Sequence, residues 1–206
     1  TFSVIVYSMG FPSDPQNFIV ANLFIASCVA VPTAAIAAQH EYRMRIYQRT
    51  LEDMASTDAL TGLLNRKFFK QFACEELARM SRTEMTSAVA LFDIDYFKAV
   101  NDNHGHVAGD HVLRTVAGRF LANLRRYDEV FRYGGEEFVM LCANCDNTTA
   151  IRRAEQICRE LAEMPQPALR GKHITASFGV TEIQQGDTPE TMLRRADRAL
   201  LQAKDM

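Results

Sequence analysis

The 206-residue chain carries its charge very unevenly along its length. Residues 1–40 contain one charged side chain, Asp14, whereas 47 of the other 166 residues, about 28 %, are Asp, Glu, Lys or Arg. A segment with that charge content can fold in water by itself. The composition therefore excludes a uniform soluble globule, a disordered chain and a protein that lies entirely in a membrane. The net charge of −2 also offers no basic face of the kind that nucleic acids bind.

An uncharged run of 21 residues extends from Phe18 to Ala38. It is close to the roughly 20 residues that a helix needs to cross a bilayer, so it predicts a membrane-spanning helix, with a buried helix of a soluble protein as the alternative. Residues 1–11 are also apolar and are followed by a turn signal at 12–17. We therefore expect residues 1–39 to form a membrane segment made of the end of one span, a turn and a second span.

Basic residues follow this apolar run. Arg43, Arg45 and Arg49 come directly after it, and an excess of Lys and Arg beside a span marks the cytoplasmic side of a membrane. We expect the remainder of the chain to be cytoplasmic.

Residues 40–57 have the pattern of a helical stalk. Met44, Tyr47, Leu51 and Met54 are spaced by three, four and three residues, as in a coiled coil of two heptads. The same pattern fits an amphipathic helix that lies on its own domain, and both interpretations stay open.

Five cysteines are present, and Cys142 and Cys145 have the CxxC spacing. A zinc site needs a second such pair or two histidines at a suitable spacing, and neither follows. Buried free thiols in a reducing compartment are the favoured interpretation.

Helical and strand patterns alternate from residue 58 onward. Their order is helix, strand, helix, strand, strand, helix, strand, helix, and it predicts an α/β (α+β) fold with a mixed central sheet flanked by helices. The predicted helices are 66–80, 107–124, 148–164 and 188–204, and the predicted strands are 88–94, 129–133, 137–142 and 174–183.

Acidic residues end the strongly apolar strand 88–94. Asp93 and Asp95 would share one face of that strand, and carboxylates held at a strand end can bind a hard cation such as Mg²⁺. The alternative is a strand end that is simply solvated.

A second candidate site is the turn Gly134–Gly135, which is followed by Glu136 and Glu137. Two glycines can adopt a positive φ and let a phosphate approach the backbone closely. Because the two carboxylates would repel a phosphate, this arrangement favours a metal ion between them.

The sequence Gly134-Gly-Glu-Glu-Phe138 resembles the signature of the GGDEF family of diguanylate cyclases, in its GGEEF form. Supporting motifs occur in the family's order over residues 58–204: Asp58–Arg66, Asp93–Lys98, Asn101-Asp102, Gly105-His106, Gly109-Asp110 and Ala196–Lys204. The resemblance implies a catalytic domain at 58–206 whose fold is like the adenylyl cyclase and polymerase palm. It also implies the condensation of two GTP to cyclic di-GMP and two pyrophosphates, at a bacterial inner (cytoplasmic) membrane.

The resemblance further implies roles for single residues. Asp93, Glu136 and the carbonyl of Ile94 match the ligands of Mg²⁺, with two ions per site and Mn²⁺ as a possible substitute. Glu136 and Glu137 match catalytic positions, and which of them accepts the proton stays open. The matches to residues that bind GTP are Lys98, Asn101, His106, Asp110, Gly134, Gly135 and Lys204, with a structural capping role as the alternative for His106.

Regulation and partners are also implied. Because cyclic di-GMP is two-fold symmetric and each domain binds one GTP, two domains must meet, so we expect a homodimer. Arg125 and Asp128 form an RxxD motif at the place of the family's product-inhibition site. The alternative function is a catalytically silent receptor for GTP or cyclic di-GMP. The family pattern has Tyr at Leu201 and continues past Lys204 with a basic tail. An arginine of that tail would contact phosphate, so we expect the sequence as given to bind GTP less tightly than the full protein.

Overall fold

The computed structural model describes residues 15–54, 56–83 and 85–204. The chain divides into two compact units between residues 55 and 56, and each unit is described by itself.

The described part of the first unit is one helix, α1 (Pro15–Met54). Pro32 lies inside it and cannot donate the usual main-chain hydrogen bond. The hydroxyl of the next residue, Thr33, is shared between the carbonyls of Val29 at 2.8 Å and Ala30 at 3.0 Å. The helix therefore continues through the proline.

The predictions for this unit have mixed outcomes. The helix predicted from residue 40 is confirmed as far as Met54. The turn predicted at 12–17 is wrong for residues 15–17, which are helical because proline suits the first position of a helix. The prediction for residues 1–11 lies outside the described residues. In the described part of the chain, no helix has both the length and the apolar character that crossing a bilayer requires, so the span predicted at 18–38 is not confirmed.

The second unit is an α+β domain, and the predicted mixed sheet is confirmed. Its five strands lie in the order β1-β3-β4-β2-β5, with β1 parallel to β3 and the other neighbours antiparallel. The elements are, in chain order, β1 (Leu64–Asn65), α2 (Arg66–Thr83), β2 (Ala88–Ile94), α3 (Phe97–His104), α4 (His106–Asn123), β3 (Glu129–Arg132), β4 (Glu137–Cys142), α5 (Asn147–Glu163), a short 3₁₀ turn (Pro167–Leu169), β5 (Ala176–Glu182) and α6 (Pro189–Lys204).

Strand β2 is buried on both faces, as its continuous apolar run predicts. Successive side chains of a strand point to opposite faces, and here the two faces belong to separate hydrophobic cores. Phe92 packs with residues of α4 and α5, and its ring meets that of Phe120 edge-on at 4.8 Å. Leu91, on the other face, belongs to the core beneath α2 and α6, where Phe69 meets Phe131 at 5.4 Å.

The sequence does not predict helix α3. It has eight residues, and only Phe97 among them is buried, so no apolar stripe marks it. Gly105 separates α3 from α4 with a φ of 80°, a left-handed conformation that glycine adopts readily. Two short helices therefore stand where a loop and one helix are expected.

Helix α6 packs directly on the backbone of β5 at Gly179. A Cβ atom at this position would collide with the carbonyl of Ala196 and the amide of Leu200. The absence of a side chain thus sets how closely the last helix approaches the sheet.

We predict that Gly179→Ala destabilises the domain by about 1–3 kcal/mol, because main-chain atoms cannot move aside as a flexible side chain can. Chemical denaturation monitored by circular dichroism measures the change. The matched control is Gly118→Ala on the exposed side of α4, where the added Cβ meets open space. It should stabilise the domain by about 0.5–1 kcal/mol. Equal stabilities of the two variants would contradict the close approach of α6.

Candidate active site

The predicted metal ligands lie where β2 ends and β4 begins. The antiparallel pairing of these strands places Asp93 opposite Glu137. The amide of Ile94 donates to the carbonyl of Glu136 at 3.4 Å. The structure thus brings together the two acidic motifs that the sequence separates by about 40 residues.

Asp93 faces a cation from the last helix. The Nζ of Lys204, at the end of α6, lies 2.6 Å from Asp93 Oδ1. The sequence predicts Lys204 at a triphosphate, and the structure places it on the carboxylate predicted to bind metal. The ammonium of Lys204 and the carboxylate of Asp93 are therefore neighbours in one site, and Lys204 offsets part of the negative charge of that site.

Asp95 does not share a strand face with Asp93, because β2 ends at Ile94. Its amide donates to the carbonyl of Thr175 at 2.9 Å, and its Oδ1 accepts a hydrogen bond from the hydroxyl of Ser177 at 2.7 Å. The carboxylate of Asp95 thus ties the end of β2 to β5.

Glu137 lies in a concentration of negative charge. Burial raises the pKa of its carboxyl, and the carboxylates of Asp93, Asp197 and Glu136 raise it further, while Lys204 acts in the opposite direction. The sequence prediction does not include Asp197, whose position on α6 becomes relevant only when that helix is packed on the sheet.

Gly134 lies against the Glu137 carboxylate and does not adopt a positive φ. The expectation that Gly134 and Gly135 adopt a positive φ is wrong, since among the described glycines only positions 62, 105, 171 and 186 do so. A Cβ at Gly134 would lie 2.5 Å from Glu137 Oε2, whereas a Cβ at Gly135 would meet nothing within 4 Å. The Glu137 carboxylate therefore occupies the volume that a side chain at Gly134 would fill.

Arg132 connects the turn at Gly134 and Gly135 to Asp58 by hydrogen bonds. Its Nη2 donates to the carbonyl of Gly135 at 2.8 Å, and its Nη1 donates to Asp58 Oδ1 at 2.9 Å. Asp58 also accepts hydrogen bonds from the amide and hydroxyl of Thr61. Sequence reasoning missed Arg132, and its place directly before Tyr133 and the two glycines was the available signal.

The predicted guanine-reading residues come together where α3 packs on α4. A Cβ at Gly109 would collide with Asn101 Oδ1, so the amide of Asn101 lies against the residue that precedes Asp110. Both Asn101 and Asp110 are half-buried, whereas Lys98 is exposed.

His106 is exposed at the first turn of α4, and the residue that caps this helix is Gly105, without a side-chain hydrogen bond. The capping alternative for His106 is therefore wrong.

The residues present fit the implied Mg²⁺. Asp93, Glu136 and the Ile94 carbonyl offer hard oxygen ligands, and the carboxylates gathered around Glu137 are negative charges that a bound cation would offset. Within the described ranges, no group of three or more His, Cys, Asp and Glu side chains forms a metal cluster. The predicted set differs from such a cluster because it has two carboxylates and one carbonyl.

The two members of the predicted inhibition motif differ in exposure. Arg125 is exposed, whereas Asp128 retains 4 % of its accessible surface. The sequence gives no sign that the aspartate is buried.

The CxxC pair consists of free, buried thiols, as expected, whereas the expectation of burial is wrong for Cys28 and Cys74, which are exposed. The pKa of Cys145 is lowered to about 7, mainly by a hydrogen bond with Cys142 and further by the nearby guanidinium of Arg153.

This fold and this arrangement of residues are those of a GGDEF domain. The family described as "Diguanylate cyclase, GGDEF domain" matches residues 55–206. The chain belongs to this family, and the predicted membership is confirmed.

Relatives support the assignment. The response regulator PleD of Caulobacter vibrioides is 39 % identical over 156 residues, which are 74 % of this chain and 34 % of the relative. The chain thus spans about a third of the length of that relative. Among solved structures, the diguanylate cyclase SiaD of Pseudomonas aeruginosa, in complex with its activator SiaC, is 32 % identical with a TM-score of 0.69, covering 99 % of this chain and 78 % of that one. The GGDEF domain of DgcB from Caulobacter crescentus, in complex with c-di-GMP, is 34 % identical with a TM-score of 0.69, covering 73 % and 91 %.

We predict that Asp58→Asn loosens the turn and lowers the melting temperature at pH 7. Burial acts to raise the pKa of Asp58, but hydrogen bonds from Thr61 and Arg132 outweigh it and hold the pKa below the ordinary 3.8. A depressed pKa means that the ionised carboxylate stabilises the folded state above that value, and that this stability is lost as the pH falls through the folded-state pKa.

Thermal melting of the wild type and Asp58→Asn from pH 7 to pH 3 tests this. The expected difference at pH 7 is roughly 1–4 °C, since a partly exposed ion pair contributes modestly, and it should shrink below pH 4. Glu155→Gln, on the exposed side of α5, is the control that should show no such pH dependence. A difference that stayed constant across the range would disprove a role for the charge of Asp58.

Proposed function

We propose that this chain is a diguanylate cyclase that condenses two GTP molecules to cyclic di-GMP and releases two pyrophosphates. Membership in the GGDEF family supports the proposal. The single observation that carries it is the pairing of β2 with β4, which assembles Asp93, Glu136 and Glu137 beside the turn at Gly134 and Gly135.

The acidic residues divide into two roles. Asp93, Glu136 and the Ile94 carbonyl would hold two Mg²⁺ ions, or Mn²⁺ in their place. The bound ions would polarise the α-phosphate and neutralise the departing pyrophosphate. Glu136 and Glu137 are the candidates for accepting the proton of the attacking 3′-hydroxyl.

The basic residues and the turn bind the triphosphate. Lys204 lies next to Asp93 and can exchange that carboxylate for a phosphate oxygen. Lys98 is exposed at the start of α3, where it can reach the same ligand. The amide of Gly134 donates to the carbonyl of Glu137 at 3.3 Å, so within this turn the amide of Gly135 is the candidate donor to a phosphate.

Recognition of the base rests on Asn101 and Asp110, with His106 nearby in the sequence. A carboxylate can accept hydrogen bonds from N1 and N2 of guanine, and adenine lacks both of these donors. Asp110 therefore selects GTP against ATP.

The proposed enzyme works as a homodimer and is inhibited by its product. Each 3′-hydroxyl must attack the α-phosphate held by the other domain, so catalysis requires two domains face to face. The helical residues 40–54 are the proposed stalk of this dimer. Arg125 is the proposed contact for cyclic di-GMP, because a guanidinium can stack on guanine and bind phosphate.

The experiment that tests the function is incubation of the chain with GTP and Mg²⁺, followed by chromatographic identification of the product. We expect cyclic di-GMP from GTP and no cyclic product from ATP. Glu136→Gln and Glu137→Gln should each lower the rate by about 10²-fold or more, while the exposed control Glu155→Gln should retain it. Specific activity should fall on dilution, because two domains must meet.

Three outcomes would contradict parts of the proposal. Binding of GTP without turnover would favour the silent receptor, and full activity of Glu137→Gln would remove that residue from the mechanism. Specific activity that is independent of concentration would disprove assembly of the site from two freely dissociating chains.

We also propose that the GGDEF domain works in the cytoplasm at the bacterial inner membrane. Support comes from the arginines after residue 38 and from the free cysteines. Fractionation of bacteria that express the chain should recover it with inner membranes, and an Arg43→Gln/Arg45→Gln/Arg49→Gln variant should show poorer retention of the domain on the cytoplasmic side in protease-protection assays. Recovery of the wild type wholly in the soluble fraction would disprove the membrane location.

A further inference from the structure

The loop between α4 and β3, residues 124–128, is held by hydrogen bonds between its own residues. Asp128 Oδ2 accepts a hydrogen bond from the amide of Arg125 at 2.9 Å, and the amide of Asp128 donates to the carbonyl of Arg125 at 3.1 Å. The carboxylate of Asp128 is buried while the side chain of Arg125 is exposed. Asp128 therefore shapes the backbone from which Arg125 projects.

A buried guanidinium from α5 holds both ends of this loop. Arg153 Nη2 donates to Asp128 Oδ2 at 2.6 Å and to the carbonyl of Asn123 at 3.2 Å. Asn123 is the last residue of α4, and Asp128 directly precedes β3. One side chain thus bridges the helix that leads into the loop and the strand that leads out of it.

The chemistry of arginine suits this bridge. Both hydrogen bonds come from the one nitrogen Nη2, which the planar guanidinium holds in a fixed direction, whereas the ammonium of a lysine sits on a more flexible stem. Asp128 retains 4 % of its surface and Arg153 9 %, so removing either partner leaves a buried charge that must find water. The loop would have to open for that to happen.

We infer that Arg153 is a positioning residue for product binding: by holding both ends of the 124–128 loop, it orients Arg125 for cyclic di-GMP. The inference rests on the proposed function, because it assumes that Arg125 contacts the product. Arg153 itself touches neither the proposed metal ligands nor the residues proposed to bind GTP.

The test compares Arg153→Met with the wild type in two measurements. Isothermal titration calorimetry with cyclic di-GMP reports product affinity without turnover, and initial rates against GTP concentration report kcat and KM. Since a preorganised loop contributes to affinity, we expect product binding to weaken about tenfold or more, with kcat and KM for GTP within about twofold of the wild type.

Two matched variants sharpen the comparison. Arg152→Met removes the neighbouring exposed arginine, whose guanidinium contacts Thr149 on its own helix at 3.2 Å, and should leave product affinity unchanged. Arg153→Lys keeps the charge and a single donating nitrogen but places it on a more flexible stem, so its product affinity should be intermediate. A purely structural role would instead lower stability while leaving the affinity of the folded fraction unchanged.

Loss of folding in Arg153→Met is covered by a paired variant, Asp128→Leu with Arg153→Met. Replacing both buried charges by apolar side chains of similar size usually preserves a fold, and it still removes the bridge. Thermal melting confirms that each sample is folded. The paired variant should bind cyclic di-GMP as weakly as Arg153→Met does. Because Asp128 belongs to the RxxD motif, folded Arg153→Lys, which leaves Asp128 in place, must also bind the product more weakly than the wild type, and unchanged affinity of that variant would contradict the inference.

Arg125→Ala separates failure of this inference from failure of the proposed function. If Arg125→Ala weakens product binding and folded Arg153→Met does not, the role of Arg153 is wrong. If neither variant changes product affinity, the RxxD assignment fails and the inference fails with it. If the wild type binds cyclic di-GMP without synthesising it, and Arg153→Met weakens that binding, the positioning role stands and the cyclase proposal falls.

Discussion

The site depends on one strand, β2, which is hydrogen-bonded along both edges and packed on both faces. Its neighbours are β4 on one edge and β5 on the other, and separate hydrophobic cores cover its two faces. A strand enclosed in this way has little freedom, so the residue at its end is held in a fixed place. Asp93 lies near the end of this strand and is therefore held in place. Glu137 pairs with it across the sheet, and Lys204 contacts its carboxylate.

Negative charges outnumber positive charges around Asp93. Four carboxylates, on Asp93, Glu136, Glu137 and Asp197, are close enough to interact, and Lys204 opposes them. Burial is the main cause of the raised pKa of Glu137, and repulsion from the neighbouring carboxylates adds to it. A polar site of this kind is poorly suited to stability and well suited to binding a cation together with a triphosphate. The near-neutral net charge of the chain is therefore no guide to the field at its site.

Local patterns in the sequence predict much of this structure, and contacts between distant segments account for what they miss. An apolar stripe predicts α2, a continuous apolar run predicts β2, and the two glycines between β3 and β4 predict their hairpin. No apolar stripe marks α3, which buries only Phe97. The motifs name Asp93 and Lys204 but cannot pair them across 111 positions. The burial of Asp128 likewise depends on Arg153, 25 residues away, and no local pattern reports that contact.

Arg132 has a mechanical consequence. Its guanidinium joins Asp58, near the point where the chain enters the domain, to the carbonyl of Gly135 in the turn of the candidate site. The short strand β1 pairs with β3 in the same region, so the entering segment and the turn are anchored to one scaffold. A tension or torque applied to the chain at residue 56 would reach the turn through two hydrogen bonds of a single side chain. One side chain thus links the segment that enters the domain to the turn of the candidate site.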